Sequence, residues 1–192
     1  MKKNTWFTLV LMITLLSSCN RTTSNTSASE EPNQVQKDLT EKGWTFENPE
    51  GGELSEKYGV KPVFGIQDNY FDIHIGEGFS VAIKIMDAIT DKCIRYVFVP
   101  EGETITTTQI PQGRYYLKLA YGKDWMVSSE GGAIRGKFTS SPFFERSTSS
   151  YDFGKKNSQG FVNYSLELNV INGDLEQNFE TEKISETEFD LN

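Results

Sequence analysis

The segment that decides the fold covers residues 79–99 and reads FSVAIKIMDAITDKCIRYVFV. Its first half carries a large apolar residue at every second position: Phe79, Val81, Ile83 and Ile85. The intervening residues belong to the opposite face: Ser80, Ala82, Lys84 and Met86. This period of two indicates a strand that turns one face to a core. Asp91 and Lys92 then allow a turn into Cys93–Val99, an aromatic and β-branched run typical of a second strand.

Similar strand-like runs lie on both sides of this segment. They occupy residues 70–75, 104–110, 114–121 and 161–171. Asn172-Gly173 is a strong hairpin signal, and the residues after it can form the returning strand. Strands at spacings of about ten residues, with turn chemistry between them, are typical of a sandwich or barrel. We therefore predict an all-β fold, an antiparallel, Greek-key-like β-sandwich of about seven strands.

The remaining segments outline the domain. Residues 35–44 and 53–58 are predicted to form short helices before the sandwich, which we place at residues 38–179. From Glu180 onward the chain is acidic and weakly apolar, so residues 180–192 are predicted to be a solvated tail.

The N-terminus has the pattern of a secretory signal. Residues 1–19 read MKKNTWFTLVLMITLLSSC, with Lys2 and Lys3 ahead of an uncharged apolar run. That run, residues 6–16, is too short to span a bilayer as a mature helix. Residues 1–18 are therefore predicted to be a signal peptide.

Leu16-Ser17-Ser18-Cys19 resembles the lipobox of bacterial lipoproteins, in which an aliphatic residue and two small residues precede a Cys. The resemblance implies cleavage before Cys19, whose thiol would carry diacylglycerol beside palmitate-like acyl chains. It also implies a lipid-anchored protein of the cell envelope, with the outer membrane favoured because Asn20 does not match the inner-membrane retention pattern. The alternative is an ordinary signal peptide, or a buried helix, with a coincidental Cys.

A flexible tether is predicted to follow the acylated Cys, over residues 19–37. Between residues 20 and 36 the apolar residues are Ala28 and Val35, which cannot bury enough surface to offset the ordering entropy. A coil of this length reaches roughly 20–25 Å.

A second resemblance concerns the fold. The run from Ile110 to Lys118 reads IPQGRYYLK and resembles the transthyretin-like, carboxypeptidase-regulatory type of β-sandwich, in which a Pro-x-Gly turn leads into a strand. The resemblance covers about 40 residues of this chain. It ends after Tyr121, where we expect a long irregular stretch.

Composition excludes several functions. The chain has 19 Lys+Arg and 27 Asp+Glu, and its net charge of -8 argues against a nucleic-acid partner. One His and two Cys cannot supply the usual zinc ligand sets, so no metal and no cofactor are expected. If Cys19 is acylated, Cys93 is left as a free thiol, for which burial is favoured over catalysis.

No catalytic residues are predicted. His74 is the one imidazole in the chain and belongs to the polar face of its strand. Glu101 with Glu103 and Asp68 with Asp72 are carboxylate pairs in turns or strand edges, where solvated charge is the favoured interpretation. A glycan hydrolase that uses such acids remains a minor alternative.

The candidate ligand-binding residues are aromatic and lie within residues 121–153: Tyr121, Trp125, Phe143, Phe144 and Tyr151. Aromatic side chains beside small polar residues suit sugar rings or peptides. The alternative, which is favoured, is that they cap the open end of the sandwich. The leading hypothesis is a non-enzymatic, lipid-anchored envelope protein that binds a protein or a glycan. The main alternative is a structural or assembly factor of an envelope complex.

Overall fold

The computed structural model describes residues 31–54, 56–154, 156–158, 160–171 and 174–191. The predicted signal peptide, Cys19, most of the predicted tether and the Asn172-Gly173 turn lie outside these residues. The helices are α1 (Gln34–Glu41) and α2 (Glu186–Asp190), with a 3₁₀ turn at Glu130–Gly132. The strands are β1 (Thr45–Phe46), β2 (Gly52–Glu53), β3 (Tyr70–Ile75), β4 (Ser80–Asp87), β5 (Cys93–Val99), β6 (Thr104–Thr108), β7 (Arg114–Ser128), β8 (Arg135–Ser147), β9 (Tyr151–Asp152), β10 (Lys156–Asn157), β11 (Gly160–Phe161), β12 (Tyr164–Ile171), β13 (Asp174–Gln177) and β14 (Thr181–Lys183).

A large antiparallel sheet forms the centre of the fold. Its strand order is β14-β8-β7-β4-β5-β2, and the short strands β1 and β9 also pair with β7. A second sheet has the order β13-β12-β3-β6. The prediction of an all-β, sandwich-like fold is confirmed. The expectation of wholly antiparallel pairing is wrong at one place, because β12 runs parallel to β3.

The strands predicted from the period of two are present at the predicted positions. β3 and β5 have the predicted bounds, and β4 turns Val81, Ile83 and Ile85 to the core between the two sheets. Leu117, Leu119 and Tyr121 of β7 join the same core. All six of these β4 and β7 side chains are fully buried. This inner core therefore follows from alternation in the sequence.

A second layer covers the opposite face of the large sheet. We call it the cover, and it consists of residues 54 and 56–60, which follow β2, together with α2. Leu54, Tyr58 and Val60 of its first part are buried there. Leu54 is also tied to β5, since its N–H donates to the Tyr96 carbonyl. A helix predicted at 53–58 is wrong, because Glu53 pairs with β5 and a turn follows.

The C-terminal segment is part of the cover, so the prediction of a solvated tail at 180–192 is wrong for its described residues. β14 pairs with β8, and the Phe189 side chain of α2 is only 3% exposed. Ser185 caps α2 by accepting a hydrogen bond from the Glu188 N–H. The acidic composition hides two of the segment's three apolar residues, Ile184 and Phe189, which pack on the sheet, while Leu191 is exposed.

The expectation of a long irregular stretch after Tyr121 is also wrong. β7 continues to Ser128 and pairs with the 13-residue β8. A bulge lies between Tyr121 and Lys123, at Gly122, which packs against the Phe138 side chain. The helix predicted at 35–44 is present as α1, which ends earlier, at Glu41, and begins with a capping box between Asn33 and Gln36. The tether predicted at 19–37 is wrong for residues 34–37, because they belong to α1 and the Gln36 side chain is buried.

Candidate functional site

The five aromatic residues singled out from the sequence do not form one surface. Tyr121 and Phe143 stack with ring centroids 4.2 Å apart, and Tyr151 packs 5.2 Å from Phe71. These three contribute to the core between the sheets. Trp125 and Phe144 lie on the opposite face of the large sheet. The structure therefore divides the five residues between two cores, where they contribute packing.

The other residues considered for chemistry are separated as well. His74 contacts the Thr104 hydroxyl through Nδ1 at 2.8 Å, and Glu101 accepts a hydrogen bond from the Gly78 N–H. Burial raises the pKa of the Cys93 thiol to about 11, so this cysteine stays protonated at neutral pH. Among the described residues, no group of three or more His, Cys, Asp or Glu side chains is close enough to hold a metal.

A cleft opens where the cover meets the large sheet, and we call it the cover cleft. Its volume is about 610 Å³, and its lining includes Trp44, Tyr58, Lys84, Tyr96, Arg135 and Asp190. Ligand sites for small molecules commonly have volumes of about 300–1,000 Å³. The cover cleft is therefore large enough for one or two sugar rings or a short peptide segment.

Aromatic rings form one side of this cleft. Tyr58 and Tyr96 meet edge to face with centroids 5.7 Å apart, and the Tyr58 hydroxyl accepts a hydrogen bond from Trp125 Nε1 at 3.0 Å. Burial raises the pKa of Tyr58 to about 12, so its hydroxyl is a neutral donor. Trp44 is half-buried beside them and offers a more accessible ring face.

A buried lysine, Lys84, lines the cleft and bonds to the cover. Lys84 is 5% exposed, and its Nζ donates to the carbonyls of Phe189 and Asp190 at 3.0 and 3.3 Å. Its cross-strand neighbour Lys118 donates to the carbonyls of Glu188 and Leu191. Burial lowers the pKa of Lys84. These two lysines hold the C-terminal end of α2 on the sheet, where its carbonyls lack helical partners.

The rim of the cleft carries both signs of charge. Lys137 pairs with Glu186 at 3.1 Å and lies 5.8 Å from the Trp44 ring centroid. Burial raises the pKa of Asp190, while Lys84 and, more weakly, Arg135 oppose that shift. Arg135 is exposed and has no ion pair or hydrogen bond from its side chain to any described residue. Within the described part of the chain, the rim therefore offers one guanidinium whose donors have no protein partner.

Local geometry explains how this rim is placed. Gly136 lies beside Arg135 in β8, and a Cβ at this position would approach the Trp125 ring to 2.3 Å. The absence of a side chain thus lets β8 lie close against the indole, between Arg135 and Lys137. This close approach needs glycine for space and not for backbone freedom.

The sequence does not predict this cleft, because the residues that line it come from distant segments of the chain. Tyr58, Tyr96 and Arg135 carry no shared motif, and α2 was predicted to be a solvated tail. One signal was present, namely Lys84 within a run that is otherwise almost wholly apolar. A charged residue at such a position has to find polar partners when the strand is covered on both faces.

Comparisons with protein-family models, curated proteins and solved structures found no match to this chain. Within the described residues, no helix combines the length and the apolar character needed to cross a bilayer.

Proposed function

We propose that this protein is a lipid-anchored, non-enzymatic component of the cell envelope whose β-sandwich binds a glycan in the cover cleft. The anchor rests on the lipobox resemblance at residues 16–19. The binding role rests on one observation, a cleft of about 610 Å³ that combines aromatic rings with a guanidinium, that of Arg135, which has no hydrogen bond or ion pair to any described residue. Sugar rings pack on aromatic faces while their hydroxyls bond to such groups at the rim.

The chemistry of the cleft favours binding over catalysis. The Tyr58 hydroxyl, with its pKa raised to about 12, remains protonated and does not act as a base at neutral pH. Lys84 Nζ donates to main-chain carbonyls of α2 and so helps to hold the cover on the sheet. The acids Glu101 and Glu103, which a hydrolase was expected to use, are not part of the lining of the cover cleft.

Glycan binding is tested with the full-length protein in detergent micelles, by saturation-transfer NMR and calorimetry against neutral and acidic oligosaccharides. We expect Trp44→Ala to weaken binding about ten-fold, because the indole offers the most accessible ring face in the cleft. The matched control is Phe46→Ala, which removes a ring that is 52% exposed and outside the cleft lining. The proposal fails if no oligosaccharide binds, or if both substitutions have the same effect.

The anchor is tested separately. Buried acyl chains contribute about 0.8 kcal/mol per CH₂, so an acylated protein should stay with membranes in high salt. We expect Cys19→Ala to release the protein from membranes after such a wash, with Cys93→Ala as the control. Retention of the Cys19 variant in the washed pellet would contradict lipid anchoring.

A second candidate function, assembly within an envelope complex, is favoured by a different surface. Five of the eight exposed large hydrophobic residues in the described chain lie at one end of the sandwich, the apolar end: Val63, Phe64, Ile66, Tyr70 and Ile89. This is the end where β3 and β5 begin and β6 finishes, since the N–H groups of Val63 and Gly65 donate to the Ile94 and Gln109 carbonyls. Exposed apolar clusters often mark interfaces with proteins.

The segment 63–66 is held in place by a buried arginine. Arg95 is 1% exposed, donates to the Val63 carbonyl at 3.1 Å and lies 3.9 Å from the Phe64 ring centroid. A stoichiometric partner recovered from solubilised membranes, and lost with Phe64→Ser and Ile66→Ser, would support this second function. A partner retained by that variant would contradict it.

A further inference from the structure

We infer that the glycan bound by the cover cleft is acidic, a pyranose that carries a carboxylate, and that Arg135 binds this carboxylate. The inference rests on the proposed glycan-binding function and assigns the ligand class to the same cleft. A free sugar acid and an acidic polysaccharide both carry such a carboxylate, so either can supply the ligand.

The charge of the lining is the first argument. The cleft has three cationic residues, Lys84, Arg135 and Lys137, and two acidic residues, Glu186 and Asp190. The chain as a whole carries a net charge of -8. The cover cleft is therefore a locally cationic site on an acidic protein. An anionic ligand is attracted to this cleft, whereas the rest of the surface repels it.

The pairing within the rim is the second argument. Lys137 is engaged by Glu186, and Lys84 Nζ by carbonyls of α2. Arg135 makes no hydrogen bond or ion pair through its side chain with any described residue, and its guanidinium presents a planar fork of donors. Such a fork fits a carboxylate with two parallel hydrogen bonds, which a neutral hydroxyl cannot match.

The position of the rings is the third argument. Trp44 and Arg135 line the same cleft, and Lys137 connects them, because it follows Arg135 by two residues in β8 and lies over the Trp44 ring. Residues two apart in a strand point to the same face. A ring stacked on Trp44 can thus carry its acidic substituent toward Arg135.

The test compares matched ligands on the full-length protein in detergent micelles. Trisaccharides of galacturonate, glucuronate and mannuronate are titrated by calorimetry beside the neutral trisaccharides of galactose, glucose and mannose. We expect at least one acidic trisaccharide to bind about ten-fold more tightly than its neutral counterpart, since hydrogen bonds to charged groups are the stronger ones. Raising the salt concentration should reduce this preference.

Substitutions test which residue causes the preference for acidic ligands. Arg135→Gln should lower the affinity for the acidic trisaccharide more than the affinity for its neutral counterpart, and so remove the acidic preference. Lys123→Gln removes an exposed positive charge of β7 outside the cleft lining and should leave the preference unchanged. Trp44→Ala should weaken both ligand classes.

Each outcome is decisive. Neutral and acidic ligands binding equally well would overturn the inference and leave the proposed glycan function standing. Absence of any saccharide binding would overturn both. An acidic preference that survives Arg135→Gln would overturn the assignment to Arg135. Comparing a free monosaccharide acid with a long acidic polymer then distinguishes the two sources, because a site for polymer segments binds internal units and does not need a free end.

Discussion

The two faces of the large sheet are buried in different ways. The inner face packs apolar side chains against a second sheet, with Ile83 and Leu119 fully buried. The outer face places Lys84 and Lys118 under a cover made of loop and helix, where their ammonium groups bond to main-chain carbonyls. The inner face has the composition of a structural core. The outer face keeps polar groups and the cover cleft, where we propose that a glycan binds.

The largest expected effect of a single substitution is on the inner face. Ile83→Ala removes a side chain with no exposure, and we expect the free energy of unfolding to fall by about 4 kcal/mol. Urea unfolding followed by circular dichroism measures this loss. Ile89→Ala, at a residue 89% exposed, is the control and should change stability by about 0.5 kcal/mol or less. Equal losses at both positions would remove the contrast between core and surface.

On the outer face we expect a smaller loss from Phe189→Ala. This side chain is 3% exposed and packs 5.7 Å from Phe144 and 6.3 Å from Tyr96. We predict a loss of about 2–3 kcal/mol, below the usual cost for a core phenylalanine, because the C-terminal helix can undock while the sandwich stays folded. A loss near zero would mean that α2 does not pack on the sheet in solution.

The buried lysines should show a still smaller effect. Lys84→Met keeps the apolar stem but leaves the Phe189 and Asp190 carbonyls without their ammonium donor, which should cost about 1–2 kcal/mol. Lys118→Met acts on the same helix, so the double substitution should be non-additive. Additive losses of unfolding free energy from the two single substitutions would show that Lys84 and Lys118 do not act jointly on α2.

The smallest effect concerns pH. Because burial raises the pKa of Asp190 above its ordinary value of 3.8, the folded state holds this proton more tightly than the unfolded state. Asp190 then contributes a stability that is present below pH 3.8 and is lost as the pH rises through its folded pKa. Asp190→Asn should remove this component, so that the difference in unfolding free energy between variant and wild type grows with pH. A difference that stays constant as the pH rises would contradict this expectation.

The same contrast explains what the sequence could predict. The inner face was predictable because strands such as β3 and β5 repeat apolar residues at every second position, and this period is local. The cleft was not, because Tyr58, Tyr96 and Arg135 meet only after the chain has folded. Phe189 lies in a segment dominated by acidic and polar residues, so its burial depends on a partner surface that composition does not reveal.

The C-terminal segment covers the outer face and forms one side of the cover cleft, where we propose that a glycan binds. Hydrogen exchange at the Ile184 and Phe189 amides tests the claim that this segment covers the face most directly, since these N–H groups donate to the Phe144 and Ser185 carbonyls. We predict that both amides exchange much more slowly than in an unstructured chain, and that the protection falls in the Lys84→Met, Lys118→Met double variant. Exchange of both amides at the rate of an unstructured chain would contradict the claim.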